Sequence, residues 1–240
     1  SPNDFNRNQA RRVLIERGEK IKPALAKWVQ NQSASQAKLE GLWLYQALDS
    51  VNAELLKTLL HASDGRIRAA AARVLGTWHD RIPEAADWLA AATRDAHPRA
   101  RMEAVRAIAY IPTARSAELV LQALEMPMDP FLDYAVWLSI NDLAPQWIDA
   151  VQSGAWSHHG REKQLEFALK ALPPAQAGSV FGKIIKDQVI AKDGSGPWIE
   201  LIGTTGGSKE MRKLFDQVLK NGFDEAATVK ALNALENAGR

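Results

Sequence analysis

The stretch that decides the fold is written twice, as DGRIRAAAARVL at residues 64–75 and as HPRARMEAVRAI at residues 97–108. Three arginines recur at a spacing of 33 residues, and the corresponding pairs are Arg66 with Arg99, Arg68 with Arg101 and Arg73 with Arg106. A fixed period of this length is typical of solenoids, in which each repeat buries its apolar face against its neighbours. The pattern therefore predicts an all-α fold, a right-handed α–α superhelix of about seven helix pairs.

The first copy also carries the apolar spacing of an amphipathic helix. From Ile67 to Trp78, apolar residues fall at i, i+3, i+4, i+7, i+8 and i+11. This stripe is wide enough to pack against neighbours on two sides, so it predicts a helix over 66–78. The many alanines favour a close approach between helices.

The same pattern extends over the rest of the chain. A lone helix over 3–17 resembles the second helix of a pair, with Gly18 just past its end. Pro83 and Pro98 are expected at first-turn positions. The predicted pairs are 21–31 with 34–48, 52–62 with 66–78, 82–93 with 98–110, 114–126 with 129–143, 145–153 with 161–172, 174–190 with 197–204, and 208–220 with 223–237. One solenoid domain over 1–240, excised from a longer chain, is the expectation.

Composition limits the classes of function. Among 240 residues there is no cysteine, which excludes disulfides and thiolate metal sites. No apolar run reaches the ~18 residues of a spanning helix, so membrane insertion is not expected. The net charge is +2, with about +5 on residues 1–120 and −3 on 121–240. This mild asymmetry makes nucleic acid an unlikely partner.

The spacing of the first copy resembles the second helix of a HEAT-type repeat. The residues that carry the resemblance are Asp64, Ile67, Arg68, Ala71 and Val74. In that family the aligned aspartate and arginine commonly form ladders between successive repeats. The resemblance implies this structural role for the arginine position, which is occupied by Arg7, Arg68 and Arg101. The aspartate position holds Asp64 in one copy and His97 in the next.

A narrower resemblance involves residues 9–14, 42–48 and 129–138. These stretches are similar to the HEAT region of large bacterial multidomain proteins, which carry a dehydrogenase-like β-propeller before the array and a c-type cytochrome domain after it. Such proteins are usually exported. The resemblance, strongest over 1–148, implies a periplasmic or exported spacer or docking segment, with the redox chemistry in other domains of the parent protein.

The repeated arginines allow two interpretations. Rows of guanidinium groups along the array could form a track for phosphates or carboxylated sugars. Alternatively, they form salt bridges between and within repeats. The near-zero net charge favours the structural interpretation.

The eight tryptophans and one long loop offer further candidates. Most tryptophans lie at helical spacing among apolar residues, which favours repeat cores over aromatic platforms. Trp156 differs, because it is predicted in the longest irregular stretch, 153–160, with His158 and His159. Neighbouring histidines in a loop rarely bind one metal, and no third ligand can be named, so a solvated loop is favoured over a zinc site. Among functional readings, a partner-contact loop with Trp156 as anchor and Arg161 nearby is favoured.

No set of residues amounts to a catalytic, cofactor or metal site, so this segment is not expected to be an enzyme. The leading hypothesis is a scaffold that binds other domains of the parent chain or a partner protein. The alternatives are a DNA-binding protein or DNA glycosylase using Asp133, Tyr134 and Trp137 in a concave groove, and a carbohydrate-binding module. The predicted partner contacts are Arg66, Arg99, Tyr134, Trp156, His158 and Arg161.

Overall fold

The computed structural model describes residues 3–156, 160–186 and 188–238, and within these ranges all regular structure is helical. The α-helices are α1 Asp4–Arg17, α2 Lys22–Gln30, α3 Ser35–Ala47, α4 Ala53–Leu60, α5 Gly65–Thr77, α6 Ala85–Ala92, α7 Pro98–Ile108, α8 Ala114–Gln122, α9 Pro130–Asp142, α10 Ala144–Gln152, α11 Glu162–Ala171, α12 Pro174–Ile185, α13 Trp198–Thr205, α14 Ser208–Leu219 and α15 Glu225–Ala238. Short 3₁₀ turns at Gly18–Ile21 and Ala123–Glu125 adjoin α2 and α8.

Helices alternate between the first and second members of the predicted pairs. Even-numbered helices are first members, and odd-numbered helices from α3 onward are second members. Helix α1 contacts α3, as the prediction of an extra second helix requires. The predicted class, an all-α solenoid of helix pairs, is confirmed.

The chain divides into two compact units. Unit 1 comprises Ser1–Ile111 with Glu125–Val136, and unit 2 comprises Pro112–Leu124 with Trp137–Arg240. Each unit has its own apolar core. Trp78 and Leu75 are among the most deeply buried side chains of unit 1, and Trp147 and Phe181 hold that position in unit 2. The prediction of a single domain over 1–240 stays a prediction.

Helix packing in unit 1 centres on α5 and α7, which share more contacts than any other helix pair in the described chain. Of the stripe predicted on α5, only Ala70 is half-buried, and the other members are fully buried. Gly76 explains the close approach: a Cβ there would lie 2.8 Å from the Cβ of Ala107 and 3.0 Å from its Cα. Gly65 is needed for the same reason, because a Cβ would overlap the ring of His97.

Side-chain caps fix where several helices begin. Asp64 accepts a bond of 2.9 Å from the N–H of Arg66, and Asn3 accepts one of 2.9 Å from Phe5. Before α9, Asp129 accepts bonds of 2.9 Å from two successive N–H groups. These carboxylate and amide oxygens satisfy donors that have no partner within the helix. Pro98 opens α7 as predicted.

Two predicted boundaries are wrong. Pro83 was expected in the first turn of its helix, but α6 begins at Ala85. The helix predicted over 174–190 ends at Ile185. There Lys213, from α14, donates to the carbonyls of Ile185 at 2.9 Å and Gln188 at 2.8 Å. A side chain from the next pair therefore satisfies the carbonyl of Ile185, which a longer helix would have used itself.

We expect Gly76→Ala to destabilise the protein by about 1–3 kcal/mol, because the added methyl meets the backbone of Ala107 and forces α5 away from α7. This cost outweighs the gain of about 0.5–1 kcal/mol that alanine brings to a helix. Urea unfolding of the two proteins measures the difference. Gly182→Ala is the matched control, since its Cβ would meet only the flexible carboxylate of Glu210. Equal loss in both variants would contradict the close-approach explanation.

Candidate interaction surface

The first repeated arginine, Arg68, ties two successive repeats together. Its guanidinium donates to both carboxylate oxygens of Asp95 at 2.6 and 2.7 Å, and to the carbonyls of Ala62 and Ser63 at 2.7 and 3.0 Å. Burial raises the pKa of Asp95, but the bonds from Arg68 and from the N–H of His97 outweigh burial and leave that pKa below its ordinary value. The same pair raises the pKa of Arg68. Such a bidentate, charge-assisted pair is strong and geometrically specific.

Arg101, the equivalent residue one period later, also ties two successive repeats together, but it donates to different acceptors. It donates to the carbonyls of Asp95 and Ala96 at 2.8 and 3.2 Å, which belong to the loop before its own helix. Its other terminal nitrogen reaches the carbonyl of Pro127 at 2.8 Å, just before α9. The equivalent arginines thus act alike, but Arg68 pairs with a carboxylate in the next repeat and Arg101 with a backbone carbonyl.

A second ion pair joins α5 to α7. Arg73 donates to both carboxylate oxygens of Glu103, with the Nε–Oε2 distance at 2.9 Å. Glu103 is buried, and this bond raises the pKa of Arg73. The Nε of Arg99 lies 4.0 Å from the same carboxylate. Two arginines, one from the second helix of each of two successive pairs, therefore share one buried anion.

Arg66 pairs within its own repeat. It lies 2.8 Å from Asp64, its helix cap, and its hydrogen bonds lower the pKa of Asp64 to about 2. Together with the pairs of Arg68, Arg73 and Arg101, this geometry supports the structural interpretation of the arginine rows. The guanidinium groups are matched by local acceptors and do not form an uncompensated track for phosphates.

Exposed aromatic side chains lie on α9 and just after the end of α7. Phe131 is 76% exposed, Tyr134 is 61% exposed, and Tyr110 is 59% exposed. The ring of His79 stacks on Tyr110 with centroids 6.2 Å apart. Tyr134 was among the predicted contacts. Phe131 was missed, although its register gave a signal: it is the second residue after its cap, as Arg66 and Arg99 are after theirs.

The tryptophans largely fill repeat cores, as the sequence indicated. Trp78, Trp147 and Trp198 are buried, and Trp43 and Trp88 are half-buried. Trp28 and Trp137 remain the most exposed of the set. The ring of Trp43 lies under the guanidinium of Arg11, at 5.0 Å from its centroid.

The loop at 153–160 departs from expectation. Trp156 is only 5% exposed, and its backbone N–H donates to the carbonyl of Ala150 at 2.9 Å. The prediction of an exposed anchor at Trp156 is wrong, because the ring packs inside unit 2. Arg161 forms an ion pair with Glu118 and stays partly exposed. His158 lies outside the described residues.

Within the ranges the structure describes, no group of three or more histidine, aspartate or glutamate side chains is placed to hold a metal ion. Asp133, the candidate general base of the glycosylase alternative, is exposed to solvent. A carboxylate exposed to water lacks the enclosed environment in which a catalytic base is held against its substrate. Searching the described helices for one able to cross a bilayer finds none of sufficient length and apolarity.

Comparison with protein families places residues 52–140 in a match to the model of HEAT repeats. A search of curated proteins finds no match. This part of the chain is therefore similar to HEAT repeats. HEAT repeats commonly serve as protein-interaction scaffolds and are generally non-enzymatic. The matched residues include α5, α7 and the contacts of Arg66, Arg68, Arg73 and Arg101.

Replacing Arg68 tests its structural role. Arg68→Ala should destabilise the protein by about 2 kcal/mol, because it leaves the largely buried Asp95 carboxylate without its partner. Arg66→Ala, two residues earlier, is the matched control and should leave stability almost unchanged, since that pair is solvent-exposed. Chemical denaturation provides the measurement. Equal effects at the two positions would refute the inter-repeat role of Arg68.

The lowered pKa of Asp95 also predicts a pH dependence. In the unfolded chain an aspartate has a pKa of about 3.9, so a lower pKa in the folded protein means that the ion pair stabilises above about pH 4 and that this stabilisation is lost as the pH falls further. The stability difference between wild type and Asp95→Asn should therefore be full at neutral pH and shrink below about pH 4. Urea unfolding across a pH series measures it. A difference that stays constant through the acid range would contradict the assignment.

Proposed function

We propose that this chain is a non-enzymatic protein-interaction module whose partner contacts the exposed side chains at the start of the second helices in unit 1. We define this surface as the first-turn row: Arg66, Arg99, Phe131 and Tyr134. The observation that carries the proposal is the exposure of two large aromatic side chains on α9, of which Phe131 holds the register that Arg66 and Arg99 hold in the two preceding repeats.

Register supports the grouping of these residues. Arg66, Arg99 and Phe131 each occupy the second position after a helix cap, so the repeat brings them to equivalent places. The bond from Arg101 to the carbonyl of Pro127 holds the start of α9 near the loop that begins α7. Tyr134 lies about one turn beyond Phe131 on the same helix.

The chemistry of the row suits a protein partner. Aromatic and arginine side chains are enriched at interface cores and supply most binding hot spots. An aromatic ring that leaves water on binding contributes much apolar area at a small entropic cost. The arginines already have acidic neighbours, so they add directional hydrogen bonds more than net charge. The burial of Trp156 removes the exposed aromatic on which a carbohydrate partner depended.

The finer proposal is that the module is a spacer or docking domain of a larger exported redox protein. It rests on the resemblance of residues 9–14, 42–48 and 129–138 to the HEAT region of such proteins. In that setting the partner of the first-turn row is another domain of the parent chain. Cross-links from the row to a domain of the same polypeptide would support this version, and cross-links only to separate proteins would overturn it.

A photo-crosslinking amino acid at position 131 should capture the partner, whose affinity is then measured with purified proteins. Phe131→Ala combined with Tyr134→Ala should weaken binding by tenfold or more, the effect of losing about 1.4 kcal/mol or more at a hot spot. Phe5→Ala is the matched control, because Phe5 is similarly exposed on α1 and lies outside the row.

Unchanged affinity in the double variant would contradict the proposal. So would tight binding of duplex DNA that weakens steeply with salt, which would favour the nucleic-acid alternative.

A further inference from the structure

An open apolar groove lies between the first three helices of unit 1. It has a volume of about 940 Å³, comparable to the larger ligand sites of proteins. Its apolar lining includes Leu14 on α1, Leu25 on α2 and Leu44 on α3, together with Ile21 at the end of the 3₁₀ turn before α2. Trp28 forms part of the wall and stays partly exposed, so the groove is open to solvent along one side. We call it the α1–α3 groove.

The charged residues along this groove are predominantly basic. Three arginines, Arg7, Arg11 and Arg17, and one glutamate, Glu40, line it, so their net charge is +2. Glu40 accepts two hydrogen bonds from Arg11, and the Nε of Arg7 lies 4.0 Å from the same carboxylate. Arg7 and Arg17 stand ten residues apart on α1, near the two ends of the groove, or about 15 Å along the helix axis.

Helix α15, in unit 2, presents a complementary stripe. Its alanines Ala227, Ala231 and Ala234 are buried, and α15 packs on α13. On the opposite face, Val229 is 54% exposed and Leu232 is 47% exposed. A glutamate stands at each end of this stripe, at Glu225 and Glu236, so the four residues follow i, i+4, i+7 and i+11. The two carboxylates are eleven residues apart, or about 16.5 Å along the axis.

We propose that the outer stripe of α15 docks into the α1–α3 groove of a second copy of this chain. The apolar residues in the middle of the stripe pack on the apolar floor of the groove. The glutamates at the two ends of the stripe pair with Arg7 and Arg17 near the two ends of the groove. This is the helix-in-groove mode of recognition, with anchors at the spacing of one helix face. The charges agree with the division of the chain into a basic first half and an acidic second half.

A second copy fits the groove better than a lipid does. A fatty acid would also offer a carboxylate and an apolar tail, but in an open groove its methylenes would stay partly in water. An amphipathic helix instead turns its polar residues outward and buries only its apolar stripe. The stripe of α15 keeps its fold while docking, so little conformational entropy is lost on binding.

The resulting contact is heterologous, because different surfaces of the two copies meet. Such contacts build head-to-tail chains or closed rings, and assembly grows with concentration. Since paired charges flank the contact, salt should weaken it. The inference involves none of the first-turn row, so it stands or falls separately from the proposed function.

Analytical ultracentrifugation of the full chain tests the contact with two blocking variants. Ala24→Arg places a large cation in the groove at an exposed wall position, and Leu232→Arg removes the apolar centre of the stripe at another exposed position. Because both sites face solvent, both variants should fold, and circular dichroism verifies this. Wild type should self-associate, and each variant alone should be a monomer of 26.4 kDa.

A mixture of the two variants is the decisive experiment. Ala24→Arg retains the stripe and Leu232→Arg retains the groove, so the mixture should form a 1:1 dimer of about twice 26.4 kDa and nothing larger. Val189→Arg, an exposed apolar residue outside both surfaces, should associate as wild type does. Wild type that stays monomeric at all concentrations, or a mixture that does not form the dimer, would overturn the inference. Binding of a fatty acid without self-association would assign the groove to a lipid instead.

Discussion

The close approach of α5 and α7 is the constraint on which unit 1 depends. Small residues make it feasible: Gly76 faces Ala107 at a distance that excludes even one added methyl. Two ion pairs then link the same repeats, Arg68 with Asp95 and Arg73 with Glu103. Dispersion contacts between closely packed helices each add a small stabilising free energy. The ion pairs fix the register of the two helices at which these contacts form.

Contacts between neighbouring helix pairs explain why few surface residues are needed to stabilise the fold. In a repeat architecture each pair is stabilised mainly by the pairs beside it, and stability is roughly a sum of such terms. Several polar contacts of this chain also link one repeat to the next. The bonds of Arg11 to Glu40, Arg73 to Glu103 and Lys170 to Glu200 each span 29 or 30 residues, about one repeat. Side chains that take no part in these contacts, such as Phe131, are left exposed on the second helices.

Much of this organisation could be predicted from periodicity. The spacing of Ile67 to Trp78 located α5 to within one residue at each end, because a wide apolar stripe leaves little freedom in choosing the buried face. The structural role of Arg68 followed from its recurrence as Arg101. Their different acceptors in the next repeat could not be predicted. The carbonyl of Pro127 accepts the bond from Arg101 because of where the backbone places it, and any residue type has a backbone carbonyl.

Surface and loop residues were harder to predict, for physical reasons. Trp156 lies in an irregular stretch where no period indicates burial, so its packing inside unit 2 depends on tertiary contacts alone. Phe131 appears in sequence as one more apolar residue near a helix start. Its place two residues after a cap matches that of arginine in the two preceding repeats and was a usable signal, but its exposure of 76% comes from the structure alone. Exposure of single side chains therefore required the structure, whereas the order of helices did not.

The dependence of unit 1 on the α5–α7 contact is tested most directly by native-state amide hydrogen exchange. Amides in the middle of α5 and α7 should exchange more slowly than any others in unit 1. Their exchange should require the opening reaction of highest free energy, because separating these helices breaks the most extensive packing and both ion pairs. Slower exchange in α2 or α4 than in α5 and α7 would contradict that dependence.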